Sequence, residues 1–199
     1  RASLADCLDG IDPARTASIL SDATDAVLAG ALTVATGLVI AQRDGLEAVS
    51  AGPDASGCWQ AARARHAIIA MGRLGGREIG YASDADVFFV HQARDGAGEE
   101  EAAQEAEAVA KQVMGLLAAA LPHPLEVDCD LRPEGRNGVM SRSLDAYREY
   151  YGRWSALWER QALLRARPCA GDRDLGRRFE ELINPLRWAQ EGLAPQDLR

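Results

Sequence analysis

From Asp12 onward the apolar side chains recur at helical spacing, with Ile19, Leu20, Ala23, Val27, Leu28, Ala31, Ala35, Leu38 and Val39 forming one broad face. Asp12-Pro13 supplies an N-cap followed by proline at the first helical position. Residues 1–42 therefore read as helix, with Gly30 and Gly37 as the places for a kink. Between Arg43 and Gly57 the pattern gives way to Gly, Pro, Ser and Asp, the composition of a loop or hinge. Beyond it, Ala67 to Met71 and Val87 to Val90 are short continuous apolar runs, as buried strands require. A loop from Gln92 to Gly98 leads into a helix over 99–121, where acidic residues open the first turn and Val109, Val113, Leu116, Leu117 and Ala120 share a face. Residues 125–131 then alternate: Leu125, Val127, Cys129 and Leu131 on one face, Glu126, Asp128 and Asp130 on the other. The remainder reads as helical. Ser143 caps a helix carrying Leu144, Tyr147, Tyr151, Trp154, Trp158 and Ala162, and Asp172 caps another through Phe179, Leu182 and Ile183. The aromatic stripe Tyr147, Tyr150, Tyr151, Trp154 and Trp158 is expected to be core rather than docking surface. A small sheet with helices before and after it is an α+β fold. Its expected parts are a helical segment and linker over 1–57, a core over 58–142 and a helical extension over 143–199.

Charge and cysteine usage narrow the function. With 30 acidic against 22 basic side chains the net charge is −8, which repels a phosphate backbone, so nucleic acid is not an expected partner. The uncharged stretch from Ala26 to Ala41 is shorter than the run of about 20 residues that a membrane span needs, so it is expected to be a buried helix, with no membrane partner. No basic segment followed by a cleavable apolar run opens the chain, and export is not expected. Because the first residue is Arg1 rather than Met, the sequence is expected to be part of a longer protein. Cys7, Cys58, Cys129 and Cys169 never approach a C-x-x-C spacing, which points to reduced thiols in a cytoplasmic setting. Cys129, among alternating apolar residues, is expected to be a small core side chain. His66 is expected at the surface or as a cap, and neither His91 nor His123 has metal-ligand spacing.

The chemistry concentrates between the two apolar runs. Gly72-Arg73-Leu74-Gly75-Gly76 is followed by Ser83-Asp84-Ala85-Asp86. Adjacent glycines allow a tight turn whose amides point at an anion, and aspartates two apart place both carboxylates on one strand face. Such a pair suits a divalent metal bridged to a triphosphate, and Mg²⁺ favours carboxylate and phosphate oxygens. A third acid is expected from the polar face of 125–131. Arg132 and Arg136, around the Pro133-Glu134-Gly135 turn, are planar donors suited to phosphate oxygens.

Three stretches resemble the glutamine synthetase adenylyltransferases, members of the DNA polymerase β-like nucleotidyltransferase group. They are Met71-Gly-Arg-Leu-Gly-Gly-Arg-Glu-Ile-Gly-Tyr-Ala-Ser-Asp-Ala-Asp86, Glu126-Val-Asp-Cys-Asp-Leu-Arg-Pro-Glu-Gly135 and Trp158-Glu-Arg-Gln-Ala-Leu-Leu-Arg-Ala-Arg167. The resemblance implies a nucleotidyltransferase-type small mixed β-sheet and a reaction that moves AMP from ATP to a tyrosine hydroxyl of glutamine synthetase. Asp84, Asp86 and Asp128 would then be the catalytic and metal-holding acids for two Mg²⁺ ions, and Gly75, Gly76, Ser83 and Arg132 the nucleotide cradle. The family's long parent carries two such domains, one that attaches AMP and one that removes it by phosphorolysis. The Glu126-Val-Asp128 start, Ile79-Gly80-Tyr81 and the run from Gln161 to Arg167 look more like the attaching half. A PII-type nitrogen-signalling protein is an implied partner of the full-length parent. Two other readings remain open: the removing half, which would release ADP, and a non-catalytic docking module. Asp130, where many members have arginine, departs from the family pattern, and Glu159 reads equally as a solvated helix residue or as an orienter of Arg132.

Overall fold

The computed structural model describes residues 12–45, 56–120, 124–153 and 157–187. Helix α1 (Pro13–Arg43) starts where Asp12 accepts from the Ala14 amide at 3.3 Å, and it runs unbroken through Gly30 and Gly37. A short helix α2 (Ser56–Ala61) precedes strand β1 (Ala64–Ala70), which leads through the one-turn helix α3 (Gly72–Gly75) to strand β2 (Ala85–Ala93). Helix α4 (Glu99–Ala118) follows, with Glu99, Glu100 and Glu101 in its first turn against the positive end of the dipole. Then come β3 (Val127–Asp128), β4 (Ser141–Ser143), helices α5 (Leu144–Arg153) and α6 (Leu157–Leu163), β5 (Arg167–Gly171) and α7 (Arg173–Arg187).

The sheet is mixed, in the order β3-β2-β1-β5, with β4 also pairing β2. Strands β1 and β2 are antiparallel, as are β1 and β5, whereas β3 and β4 both run parallel to β2. The two central strands carry continuous apolar runs, over residues 67–70 and 87–90, because both of their faces are covered there. Alternation sorts their side chains. Ile68, Ala70, Val87 and Phe89 join Leu28, Leu32 and Ala35 of α1 and Val109, Val113 and Leu117 of α4 in one core. Ala67, Ile69, Phe88 and Val90 join Tyr147, Tyr151, Leu163, Leu175 and Phe179 in the other. The helix α1 is long and apolar enough to cross a membrane by length and composition; here Leu28, Leu32, Ala35 and Ile40 are buried against the sheet side of the fold.

The α+β expectation matches this architecture, and four local expectations need correction. The alternating stretch 125–131 yields only the two-residue strand β3, because Asp128 Oδ1 accepts from the Asp130 amide at 2.6 Å and turns the chain away from β2. The long helix expected from Ser143 divides into α5 and α6. Residues 167–171, expected to be helical, form β5, and Ser141–Ser143 form β4; both are short and carry no run of large apolar side chains, so periodicity gives no strand signal. His66 is 4% exposed inside β1 rather than at the surface, and His91 is buried in β2 with Nδ1 2.9 Å from Ser141 Oγ. Of the aromatic stripe, Tyr147 and Tyr151 are core residues and Trp158 is exposed, while Trp154 lies outside the described residues. Cys129 is a buried free thiol, as expected, and burial pushes its pKa up to about 12; Cys7 and His123 lie outside the described residues.

Candidate active site

Three carboxylates meet at one end of the sheet. Asp86 is the second residue of β2 and pairs across the parallel ladder with Asp128 of β3. In-register parallel neighbours present their side chains on one face, and Asp84, two residues before Asp86, joins the same face. One oxygen from each of Asp84, Asp86 and Asp128 lies within 4.8 Å of the others. All three are half-buried. The mutual cost is visible at Asp86, whose carboxyl is pushed above its ordinary value by burial first and then by the charges of Asp84 and Asp128. Arg73 Nη2, at 3.6 Å from Asp84 Oδ1, offsets part of that repulsion. Three oxygen donors converging at this spacing, and repelling one another, are a donor set that fits a hard divalent cation.

The glycine turn is built against these acids. The Met71 amide donates to Asp86 O at 2.8 Å, and the Gly75 amide to Met71 O at 2.6 Å, which closes the single turn of α3 beside β2. Gly72 has φ +49°, and a Cβ placed there would come within 2.2 Å of Asp86 Oδ2. Glycine is thus demanded twice, by backbone conformation and by contact with a carboxylate. Gly75 is demanded by contact alone, since its Cβ would lie 2.1 Å from Arg165 O. Gly76 is exposed at the C-terminal end of α3, and Ser83 Oγ accepts from the Gly80 amide at 3.1 Å, shaping the loop between α3 and β2.

A second set of contacts fastens this turn to the rest of the fold. Arg167 of β5 donates from Nε to Gly75 O at 3.2 Å and from Nη2 to Leu74 O at 3.1 Å, and its two Nη atoms meet Asp25 of α1 at 2.7 and 3.0 Å. Arg77 reaches Asp22 and Ser18 on the same helix. Sequence reasoning did not assign Arg167, Asp25 or Gly72 to the site. The signal for Gly72 was present, as a glycine directly after a strand, whereas the 142-residue separation of Asp25 and Arg167 leaves no local trace.

The structure treats the remaining expected residues differently. Arg132 is 8% exposed, and its guanidinium donates to Cys129 O at 2.8 Å, Gly138 O at 3.2 Å and Arg136 O at 3.3 Å. It braces the loop that carries Asp128, with most of its donors engaged by backbone. Asp130 stays outside the carboxylate trio and is held by Arg136 Nε at 2.6 Å. Glu159 is buried rather than solvated and accepts from Tyr150 OH at 2.7 Å.

A mixed sheet with flanking helices, whose second strand and its parallel neighbour carry metal-spaced aspartates beside a glycine turn, has a nucleotidyltransferase-like fold. The glutamate-ammonia ligase adenylyltransferase family profile matches residues 1–182, and the chain belongs to that family. It is 52% identical over 136 residues to a bifunctional glutamine synthetase adenylyltransferase/adenylyl-removing enzyme of Streptomyces avermitilis, covering 68% of this chain and 14% of that protein. Proteins of the same description from Streptomyces coelicolor and Corynebacterium diphtheriae are 54% and 49% identical over 136 and 137 residues, again 68% of this chain and 14% and 13% of theirs. The chain spans about one seventh of the length of these relatives.

Proposed function

We propose that this chain is a magnesium-dependent nucleotidyltransferase unit that moves AMP from ATP to a tyrosine hydroxyl of glutamine synthetase. The observation that carries the reading is the convergence of Asp84, Asp86 and Asp128 within 4.8 Å at the mouth of the Gly72–Gly75 turn. The relatives' shared description, which couples adenylyl transfer with adenylyl removal on glutamine synthetase, supports the substrate. Asp84, Asp86 and Asp128 would hold two Mg²⁺ ions, which supply positive charge to the phosphates and to the attacking and leaving oxygens. Asp128 is oriented for its role by the Asp130 amide at 2.6 Å and is the side chain to accept the proton of a hydroxyl whose ordinary pKa is about 10. The α3 turn and the Gly76–Ser83 loop would receive the triphosphate through backbone amides. Arg132 contributes as a brace of the Asp128 loop, and exposed Arg73 and Arg136 are the cations available at the rim.

The assay is a mass measurement of glutamine synthetase after incubation with this chain, ATP and Mg²⁺. A gain of one AMP per modified subunit is expected. If the subunit mass does not change, while adenylylated glutamine synthetase treated with phosphate releases ADP, the chain runs the removing direction. If neither reaction occurs but glutamine synthetase still binds, the docking-module reading replaces the enzymatic one.

A further inference from the structure

At the far end of the same two strands, on the order of 20 Å from the carboxylates at about 3.3 Å per strand residue, lies a cavity of 380 Å³. Thr33 of α1, Trp59 of α2, Arg65 and His66 of β1, Arg94 just after β2 and Asp172 just after β5 are among its walls. Its volume is at the small end of the range for ligand sites. Its charge is poorly matched from within. Arg94 Nε is buried and has no hydrogen-bond partner among the described residues. His66 Nε2 is likewise unpartnered: the nearest carboxylate oxygen, Glu105 Oε1, is 3.9 Å away and already accepts from the Arg63 and Ala64 amides. Arg65 makes no ion pair among the described residues, whereas neighbouring Arg63 pairs with Glu101 at 3.4 Å. Asp172, the one carboxylate among the described walls, accepts from the Leu175 amide at 2.9 Å as the cap of α7.

A buried guanidinium N–H without an acceptor costs the desolvation of a charged donor, so native structures supply a partner for it. Two arginines lining one space whose described walls hold a single, otherwise engaged carboxylate leave a positive surplus, and Trp59 offers a flat apolar wall beside it. Burial, with His91 and Arg94 nearby, holds His66 neutral, its pKa lowered to about 3, so the imidazole adds a polar edge and no charge. We infer that this cavity is a binding site for a small oxyanion, a phosphate or carboxylate group gripped by Arg65 and Arg94 with the rest of the molecule against Trp59. The site is independent of the nucleotidyl-transfer reading, because none of its walls belongs to the carboxylate trio or the glycine turn.

The test is a nuclear magnetic resonance titration of the chain with inorganic phosphate and, separately, with succinate, chloride holding the ionic strength constant. The chain has 3 histidines, so the His66 ring signals can be followed beside those of His91 and His123. Saturable movement of His66 alone is expected. Movement with phosphate only assigns phosphate monoesters, with succinate only assigns carboxylates, and with both assigns the shared oxyanion chemistry. Arg94→Gln and, separately, Arg65→Gln should raise the half-saturating concentration at least about tenfold, as expected for the loss of a charge-assisted contact. Asp86→Asn should leave the titration unchanged, which separates this site from phosphate binding at the carboxylates. The inference is overturned if His66 does not move, if it moves without saturating, or if both arginine variants titrate as the parent does. Should Arg94→Gln fail to fold, Arg65→Gln, half-buried at the rim, still decides between these outcomes.

Discussion

The two ends of the β1–β2 pair carry opposite electrostatic problems. At one end Asp84, Asp86 and Asp128 crowd negative charge with Arg73 as their nearby cation; at the other, Arg65 and Arg94 face a cavity with Asp172 engaged elsewhere. The strands between them are buried on both faces and satisfy their polar groups through the ladder. In this fold the unmet charge sits where the two strands end, because between those ends both faces of the pair are covered by packed side chains. The acidic end is framed by a turn and ties that leave the acids nowhere else to go, while the basic end is framed by a cavity wall. On the two proposals made above, the first would take cations and phosphates together, and the second an anion alone.

Removing a carboxylate gives the sharpest contrast between the ends. Asp86→Asn should lower AMP transfer by at least about 10²–10³-fold, measured as labelled AMP incorporated into glutamine synthetase. Because burial and its neighbours disfavour the charged form of Asp86 in the folded state, the same variant should unfold at a higher temperature than the parent in the absence of divalent metal. A lower melting temperature would mean that Asp86 supports the fold as well as the chemistry. Gly72→Ala acts on the same end through the backbone: the φ of +49° and the 2.2 Å approach to Asp86 should destabilise by roughly 1–3 kcal/mol and reduce transfer as the carboxylate shifts. Urea unfolding and the incorporation assay read the two effects separately.

Arg167→Met tests whether the acidic end depends on helix α1. Its contact with Asp25 leaves the two side chains 19% and 18% exposed, so the loss should be about 1–3 kcal/mol, below that for a fully buried pair. A double-mutant cycle with Asp25→Asn should show coupling of at least about 0.5 kcal/mol, as contacting residues do; additive effects would break the link. The smallest expected effect is the pH dependence toward the basic end. Unfolded histidines take up protons near pH 6.5, whereas burial holds His66 down to about 3 and His91 to about 4. Below pH 6.5 the unfolded chain binds more protons, so stability is full above that pH and falls as pH drops from about 6.5 toward 4. Over the first pH unit below 6.5 the fall should be on the order of 1–3 kcal/mol, and His91→Gln should flatten part of it in urea titrations at successive pH values.

The acidic end was more legible in the sequence than the basic end. Asp84 and Asp86 are two apart, so strand periodicity alone sets them on one face, and the glycines stand a few residues ahead. Asp128 could be found as a polar position in an alternating run, but the same alternation overstated β3, which stops after Asp128 where the carboxylate captures the Asp130 amide. Arg132 carried a phosphate-binding pattern, and most of its donors also engage the carbonyls of its own loop, a role that the pattern did not announce. His66 read as a surface or capping residue, and Glu159 equally as solvated or as an orienter of Arg132, because nothing in their neighbours announces that both will be buried.

Local spacing by itself determined the existence of α1, β1, β2 and α4, the α+β class, the pairing of Asp84 with Asp86 and the place of the glycine turn, because periodicity and backbone preference act over a few residues. Only the tertiary structure decided that Asp128 faces Asp86 across a parallel ladder, that Arg167 joins Asp25 to the turn, that β4 and β5 complete the sheet, and that Arg65, His66 and Arg94 enclose one cavity. Each of those depends on which distant segments share a boundary, and burial, desolvation and charge pairing take their values only after the chain has closed around them.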